Sequence, residues 1–224
     1  MRRQRFAILN LALLLLLALA PAMEGGRAPS KILFAGIFVL VLVSAVYAVG
    51  QRWHARRIVL PLAALATVSQ ILDLFLDHRL LALLTAAFGG ASLLCVILLL
   101  ARRLFTVASA DYETINASLC VYLLMGVLWS IAYSGTELLA PGSFAYPLAD
   151  GRAAVMEIGG KHTVIPLYYS FVTMTTLGYG DIVPLGSAAK VLAIGQAVLG
   201  QVYLVVIVAR LVGLQVSAAP ADRG

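Results

Sequence analysis

Residues 166–184 of the chain read PLYYSFVTMTTLGYGDIVP. The stretch opens with a proline, which suits the first turn of a helix, and no glycine interrupts the next ten residues. A helix of about ten residues is about 15 Å long, which is half the hydrocarbon thickness of a bilayer. Irregular backbone at that depth is tolerated only where it is buried in protein or lines water. The pattern therefore predicts a re-entrant loop that consists of a short helix followed by irregular backbone.

The residues after this short helix indicate what the irregular backbone does. Backbone carbonyls replace the hydration shell of a cation when successive residues turn them in the same direction. That geometry needs φ values that glycine accepts more readily than residues with a Cβ atom. Gly178 and Gly180, alternating with Leu177 and Tyr179, meet this need, and Thr176 adds a hydroxyl oxygen at the inner end. The negative end of the helix dipole points the same way and favours a cation there.

The rest of the chain has the composition of a membrane protein. Of its 224 residues, 62% are hydrophobic and 12% are charged, whereas soluble domains carry about 25% charged residues. Long apolar blocks indicate membrane spans, and the chain has six of them, at about 6–22, 31–50, 58–76, 80–100, 115–133 and 188–214. The net charge of +6 lies mostly at the ends of these blocks. The expected partner is therefore the lipid bilayer and not nucleic acid.

Residues 173–181, TMTTLGYGD, resemble the potassium-channel signature over nine consecutive positions. The usual filter has valine where this chain has Leu177, a change that keeps the backbone carbonyl. Residues 195–214 are similar to the inner helices of bacterial potassium channels without a voltage sensor. The resemblance is specific over about residues 165–214. It implies a six-span potassium channel with one re-entrant pore loop, passive conduction, no catalytic residue and no cofactor besides the permeant potassium ions.

The expected fold is an all-α membrane protein with six transmembrane helices, and a re-entrant pore helix and selectivity filter between helices five and six. Four parts are expected: a four-helix membrane region at 1–101, a cytoplasmic linker at 102–114, a pore module at 115–214, and a short cytoplasmic tail at 215–224. The tail leaves no room for a fused ligand-binding domain, so none is expected.

The resemblance also assigns roles to residues of the filter. It implies that potassium is bound by the backbone carbonyls of four residues and by one hydroxyl, namely Thr176 (carbonyl and hydroxyl), Leu177, Gly178 and Tyr179. Gly180 and Asp181 are expected to support the filter from its outer end. An ion filter of this kind needs rings of carbonyls from four copies. Because the chain holds one copy, a homotetramer is expected.

Similar channels often have a tryptophan pair in the re-entrant helix, and one indole N–H bonds the aspartate after the filter. This chain has Tyr168 and Tyr169 instead, with Tyr168 eight residues before Thr176, at the position of the bonding tryptophan. A phenol O–H donates to a carboxylate, and such charge-assisted bonds are strong. We expect Tyr168 to hold Asp181. Packing of Tyr168 against a neighbouring helix is the alternative.

Three residues of the sixth apolar block are singled out by their position or polarity. Similar channels carry a hinge glycine about nineteen residues after the filter aspartate, and here that position is Gly200. Close helix packing explains a small residue there equally well. Polar residues inside a span often face a cavity or bond across helices. Relative to Gly200, we expect Gln201 to face a water-filled cavity and Gln196 to make a packing contact.

The distribution of basic residues predicts the topology. In a six-span arrangement ten of the sixteen Lys and Arg residues fall on one side, namely Arg2, Arg3, Arg5, Arg52, Arg56, Arg57, Arg102, Arg103, Arg210 and Arg223. Both termini of a multi-pass cell-membrane protein are therefore expected in the cytoplasm, and segment 134–186 outside. In the alternative, the first block, which ends in Ala20-Pro21-Ala22, is a cleaved secretory signal, and five spans remain.

The fourth block bears on gating. A voltage sensor needs several arginines spaced along one helix, and residues 80–100 contain no Arg or Lys. We therefore expect no strong voltage-sensor gating.

Three other functions fit parts of the sequence. A non-selective cation channel of the same fold is one, although relatives with relaxed selectivity often replace the residue that is Tyr179 here. An intramembrane serine protease is another, because Gly90-Ala91-Ser92 faintly resembles its nucleophile motif, but its histidine base would be His162, which lies in a predicted loop. A transporter of the potassium-uptake class is the third. Such transporters carry four pore repeats in one chain, whereas this chain has one.

Overall fold

The computed structural model describes residues 5–23, 28–49, 53–76, 78–147, 153–155 and 164–218. Within this part of the chain, five helices are long and apolar enough to cross a membrane. They are α2 (Ala28–Val49), α3 (Trp53–Leu76), α4 (Arg79–Thr106), α5 (Tyr112–Leu139) and α7 (Ser187–Ala218). These apolar helices support a membrane location.

The first apolar block forms a shorter helix than the sequence predicts. Helix α1 (Arg5–Ala18) has 14 residues and is followed by a 3₁₀ turn at Ala20–Met23. A span needs about 20 residues, so α1 alone falls short of the length of a full crossing. The first block therefore differs from the other five in length and not in its apolar character.

Helices α4 and α5 begin at residues whose side chains satisfy the first free backbone N–H groups. The ring of His78 accepts a hydrogen bond from the N–H of Leu80. The carboxylate of Asp111 accepts one from the N–H of Thr114 at 2.9 Å and a second from its hydroxyl at 2.7 Å. These two bonds lower the pKa of Asp111 from its usual value. Asp111 therefore stabilises the start of α5 as a carboxylate.

Helix α5 lies at the centre of the fold. It packs against α1 and α4 on the side of the first four helices, and against α7 and the short helix α6 (Ile165–Met174) on the side of the re-entrant loop. One large apolar core joins α1 to α5 and reaches Ile207 of α7. The sequence region predicted as the pore module thus shares its core with the preceding helices.

Several arginines gather at one end of the helix bundle. The guanidinium of Arg5 lies 5.3 Å from the ring centroid of Tyr47, and that of Arg103 lies 4.9 Å from the ring centroid of Phe6. Arg103 also forms a salt bridge of 3.1 Å with Glu113. The start of α1, the end of α4 and the start of α5 therefore lie together.

Arg210, in the C-terminal part of helix α7, contacts the end of α4. Its guanidinium donates to three carbonyl oxygens at 2.9 Å each, those of Leu104, Phe105 and Val107. The last carbonyls of a helix have no partner within the helix, so Arg210 caps α4 from a distant part of the chain. The connection between α4 and α5 is residues 107–111, because both helices extend into the predicted linker at 102–114.

The chain between α5 and α7 forms a small antiparallel sheet, which was not predicted from the sequence. Its strands are β1 (Phe144–Pro147), β2 (Ala153–Val155) and β3 (Val183–Pro184), in the order β2-β1-β3. Strands of two to four residues are too short to show the alternating pattern on which sequence prediction of a strand depends. Because β3 closely follows Asp181, the sheet joins the end of the re-entrant loop to the segment after α5.

Candidate functional site

The re-entrant helix α6 (Ile165–Met174) has 10 residues, with Pro166 in its first turn. At its other end the carbonyl of Val172 accepts hydrogen bonds from the N–H groups of Leu177 at 3.0 Å and Gly178 at 3.4 Å. The chain thus leaves the helix and turns back on its last carbonyls. We name residues 176–180 the filter segment. Its beginning is fixed to the C-terminal end of α6.

The sign of φ alternates along the filter segment. Positive φ angles occur at Thr176 (59°), Gly178 (56°) and Gly180 (78°), and Thr176 is the one non-glycine residue with positive φ in the described part of the chain. Backbone with alternating φ of this kind can turn successive carbonyls to one side, which is the arrangement that a ring of cation ligands needs. For a β-branched residue positive φ is unusual and strained. Sequence reasoning found the two glycines and missed this property of Thr176.

The filter segment is uncovered within one chain. Residues 175–180 are all exposed, with Leu177 at 56% and Tyr179 at 65%. The hydroxyl of Thr176 donates to the carbonyl of Thr175 at 2.6 Å, so its oxygen keeps lone pairs for another partner. Among the described residues, no cluster of three or more His, Cys, Asp or Glu side chains has the arrangement of a metal site. The exposed backbone of residues 176–179 and the hydroxyl of Thr176 are the groups that the sequence predicts as cation ligands.

Asp181 follows the filter segment and is held from two directions. The hydroxyl of Tyr168 donates to Oδ2 of Asp181 at 2.6 Å, and the N–H of Ile182 donates to Oδ1 at 3.0 Å. The first of these bonds joins helix α6 to the outer end of the filter segment. It is the contact expected from the position of Tyr168 in the sequence.

Gly200 lies where α7 passes the end of α6. A Cβ atom there would lie 2.8 Å from Cγ of Met174 and 3.0 Å from its carbonyl oxygen, and neither distance fits a normal contact. Helix α7 continues through this position without a break. The geometry thus favours close packing as the reason for a glycine. Nε2 of Gln201 lies 3.5 Å from the same carbonyl oxygen, and its side chain is exposed.

Glu137 is a buried acidic residue that sequence reasoning did not single out. Its carboxylate, 3% exposed, accepts hydrogen bonds from the N–H groups of Gly142 at 2.6 Å and Phe144 at 3.1 Å. Arg79 donates to the carbonyl of the next residue, Leu138. Glu137 therefore shapes the turn between α5 and β1. An acidic residue near the end of an apolar block was the available signal.

A second group of buried polar residues joins three helices around α6. Gln196 of α7 accepts a hydrogen bond from the hydroxyl of Tyr133 in α5 and donates one to Ser170 in α6. From the sequence we predicted a packing contact for Gln196, and neither Tyr133 nor Ser170 was singled out. Periodicity identifies which residues are buried, but it does not identify their partners in other helices.

The structure also bears on the serine-protease alternative. The side chain of Ser92 is buried and its Oγ has no hydrogen-bond partner in the described part of the chain. A nucleophilic serine needs an adjacent base. The proposed base, His162, lies outside the described residues. Among the described residues, Oγ of Ser92 therefore bonds no base.

Two comparisons with known proteins gave matches. Residues 136–215, about a third of the chain, match the family model described as "Ion channel". The chain is also 32% identical over 113 residues to "Two pore potassium channel a" of Oryza sativa subsp. japonica, which is 49% of this chain and 26% of that protein. The chain thus spans about a quarter of the length of this curated relative. No solved structure gives a significant match. The matches support an ion-channel family, and not an enzyme class, for this chain.

Proposed function

We propose that this chain is one subunit of a potassium-selective membrane channel whose ions pass the backbone carbonyls of residues 176–179. The observation that carries the proposal is the alternation of φ at Thr176, Gly178 and Gly180. It turns successive carbonyls to one side, where they replace the water around a dehydrated cation. The resemblance of the filter segment to that of potassium channels, and the name of the rice relative, favour potassium as the ion.

The proposal includes a homotetramer. Irregular backbone at membrane depth must be buried in protein or line water, and residues 175–180 are exposed in a single chain. One strand does not encircle an ion, whereas four copies cover the segment and close a ring of carbonyls. Cross-linking of the purified protein in mild detergent should give a ladder that ends at four subunits. A ladder that ends at two would contradict the assembly.

The proposal also places both chain ends in the cytoplasm. Its support is the excess of basic residues on that side, together with the gathering of Arg5, Arg103 and Arg210 at one end of the bundle. In a variant without Cys95 and Cys120, a membrane-impermeant maleimide should label Lys161→Cys on intact cells and should not label Arg223→Cys. The reverse labelling pattern would contradict the proposed orientation of the chain in the membrane.

Ion selectivity is tested with the purified protein in planar bilayers. With potassium on one side and sodium on the other, the current should reverse at a potential far from zero, with the potassium side negative. A reversal near zero would indicate the non-selective cation channel, the main alternative. No cation current at all, from protein shown to be tetrameric, would contradict a channel of either kind.

A further inference from the structure

A continuous chain of hydrogen bonds crosses the interior beside α6. The hydroxyl of Tyr133 in α5 donates to Oε1 of Gln196 in α7 at 2.5 Å. Nε2 of Gln196 donates to Oγ of Ser170 in α6 at 2.7 Å, and Ser170 donates to the carbonyl of Gly126 in α5 at 2.6 Å. We name the side chains of Tyr133, Gln196 and Ser170 the polar relay. It begins and ends on α5 and passes through both other helices.

The polar relay is buried, and its hydrogen bonds all run in the same donor-to-acceptor direction. All three side chains are 0% exposed. Each donor has one acceptor along a single direction, from the phenol through the amide and the serine hydroxyl to the carbonyl. In such apolar surroundings a polar group that loses its partner finds no water to replace it. The three helices are therefore held in the mutual arrangement that keeps these three hydrogen bonds.

Aromatic packing fixes the first member of the relay. The ring of Tyr133 meets those of Tyr169 in α6 and Phe144 in β1 edge to face, with centroids 4.9 and 5.4 Å apart. Edge-to-face contacts of this kind are favourable and directional. Tyr133 thus contacts α6 through its ring and α7 through its hydroxyl.

The last member of the relay lies at the closest approach between α5 and α6. A Cβ atom on Gly126 would lie 2.4 Å from the ring of Phe171, the residue next to Ser170. The glycine therefore lets the two helices come close enough for the bond from Ser170 to the carbonyl of Gly126. Helix α6 is held on two sides, by α5 at Gly126 and by α7 at Gln196.

The position of α6 determines the position of the filter segment. Ser170 lies one turn before the end of α6, and Val172, two residues on, accepts the N–H groups of Leu177 and Gly178. We propose that the polar relay sets the rotation and depth of α6, and thereby the alignment of the filter carbonyls. Gln196 is then a positioning residue that couples the inner helix to the filter segment. This inference rests on the proposed channel function.

The relay is tested by removing single polar atoms in the full-length tetramer. Tyr133→Phe deletes one hydroxyl and keeps the ring, Ser170→Ala deletes the other, and Gln196→Met keeps the length of the side chain without its amide. Ser130→Ala is the matched control, because among the described residues the hydroxyl of Ser130 bonds only the carbonyl of Val127 in its own helix. The measurements are the rate of slow inactivation, the potassium-to-sodium permeability ratio and the thermal stability of the tetramer.

Each relay variant should inactivate about two- to tenfold faster than the wild type, which corresponds to the loss of about one hydrogen bond. The permeability ratio should fall or stay the same, and Ser130→Ala should match the wild type. A relay that only supports folding would lower thermal stability and leave inactivation of the surviving tetramers unchanged, and that result would overturn the inference. If Gln196→Met fails to assemble, the two hydroxyl deletions decide by the same criterion. A wild type that is not selective for potassium would refute the proposed function instead.

Discussion

The phenol oxygen of Tyr168 lies 2.6 Å from Oδ2 of Asp181, so the re-entrant helix holds the residue that follows the filter segment. We expect Tyr168→Phe, which removes only the hydroxyl, to speed or deepen slow inactivation, because the outer end of the filter segment loses a charge-assisted bond. Ion selectivity should not change, since the carbonyls remain. Inactivation is measured at several potassium concentrations.

Asp181→Asn provides the matching change on the other side of this bond. The amide has one acceptor oxygen, so it keeps the bond from Tyr168 or the bond from the N–H of Ile182, but not both. The bond that remains is no longer charge-assisted, so the effect should be at least as large as that of Tyr168→Phe. Wild-type inactivation kinetics in Tyr168→Phe would mean that the ring merely packs against its neighbours.

Gly178→Ala tests the backbone geometry of the filter segment. Gly178 has φ of 56°, and apart from its chain neighbours no described residue has a heavy atom within 4 Å of the position of an added Cβ atom. The penalty therefore comes from the left-handed backbone and amounts to about 1–2 kcal/mol in each copy. Potassium current should be abolished while the protein still reaches the membrane.

Gly36→Ala is the control for this change. Gly36 lies in α2, has open space around its Cα atom and has no positive φ. Current should persist in this variant. Normal, selective current in Gly178→Ala would exclude the filter segment as the ion pathway.

Gly200→Ala separates close packing from hinge motion. The added Cβ would overlap Met174, and overpacking of this kind costs about 1–3 kcal/mol. The assembled protein should unfold at a lower temperature. Gly213→Ala, in an open position of the same helix, should be neutral or stabilising. Unchanged thermal stability with altered open probability in Gly200→Ala would favour the hinge.

The sequence predicted features that depend on residues close together in the chain. The position of α6 follows from Pro166 and the residues beside it, and the positive φ at Gly178 and Gly180 follows from glycine itself. The bond from Tyr168 to Asp181 spans only 13 residues and was expected from the resemblance. Thr176 is the local exception, because a β-branched residue gives no sign of a left-handed conformation.

Contacts between distant segments were not predictable in this way. Gln196 and Tyr133 are separated by 63 residues, and Arg210 and Leu104 by 106. Hydrophobic periodicity indicates a buried face without indicating which helix covers it. The length of α1 is a related case, because apolar composition continues to Ala22 while the α-helix ends at Ala18.

Voltage dependence should be weak. Helix α4 carries Arg79, Arg102 and Arg103 near its ends and no charged residue between positions 80 and 100. Moving one charge through the full membrane field is worth about 2.3 kcal/mol per 100 mV, so a helix without such charges supplies little energy for opening. Open probability in symmetric potassium should change little between −100 and +100 mV, as a rough experimental range. A steep activation curve would contradict this expectation.

The most direct measurement is an experimental density map of the assembled protein, recorded once in potassium and once with sodium as the only monovalent cation. Our account predicts four chains around one axis, with ion density on that axis ringed by the carbonyls of residues 176–179 in potassium. This density should be weakened or rearranged in sodium. An assembly without fourfold symmetry, or carbonyls of the filter segment that point away from the axis in potassium, would contradict it.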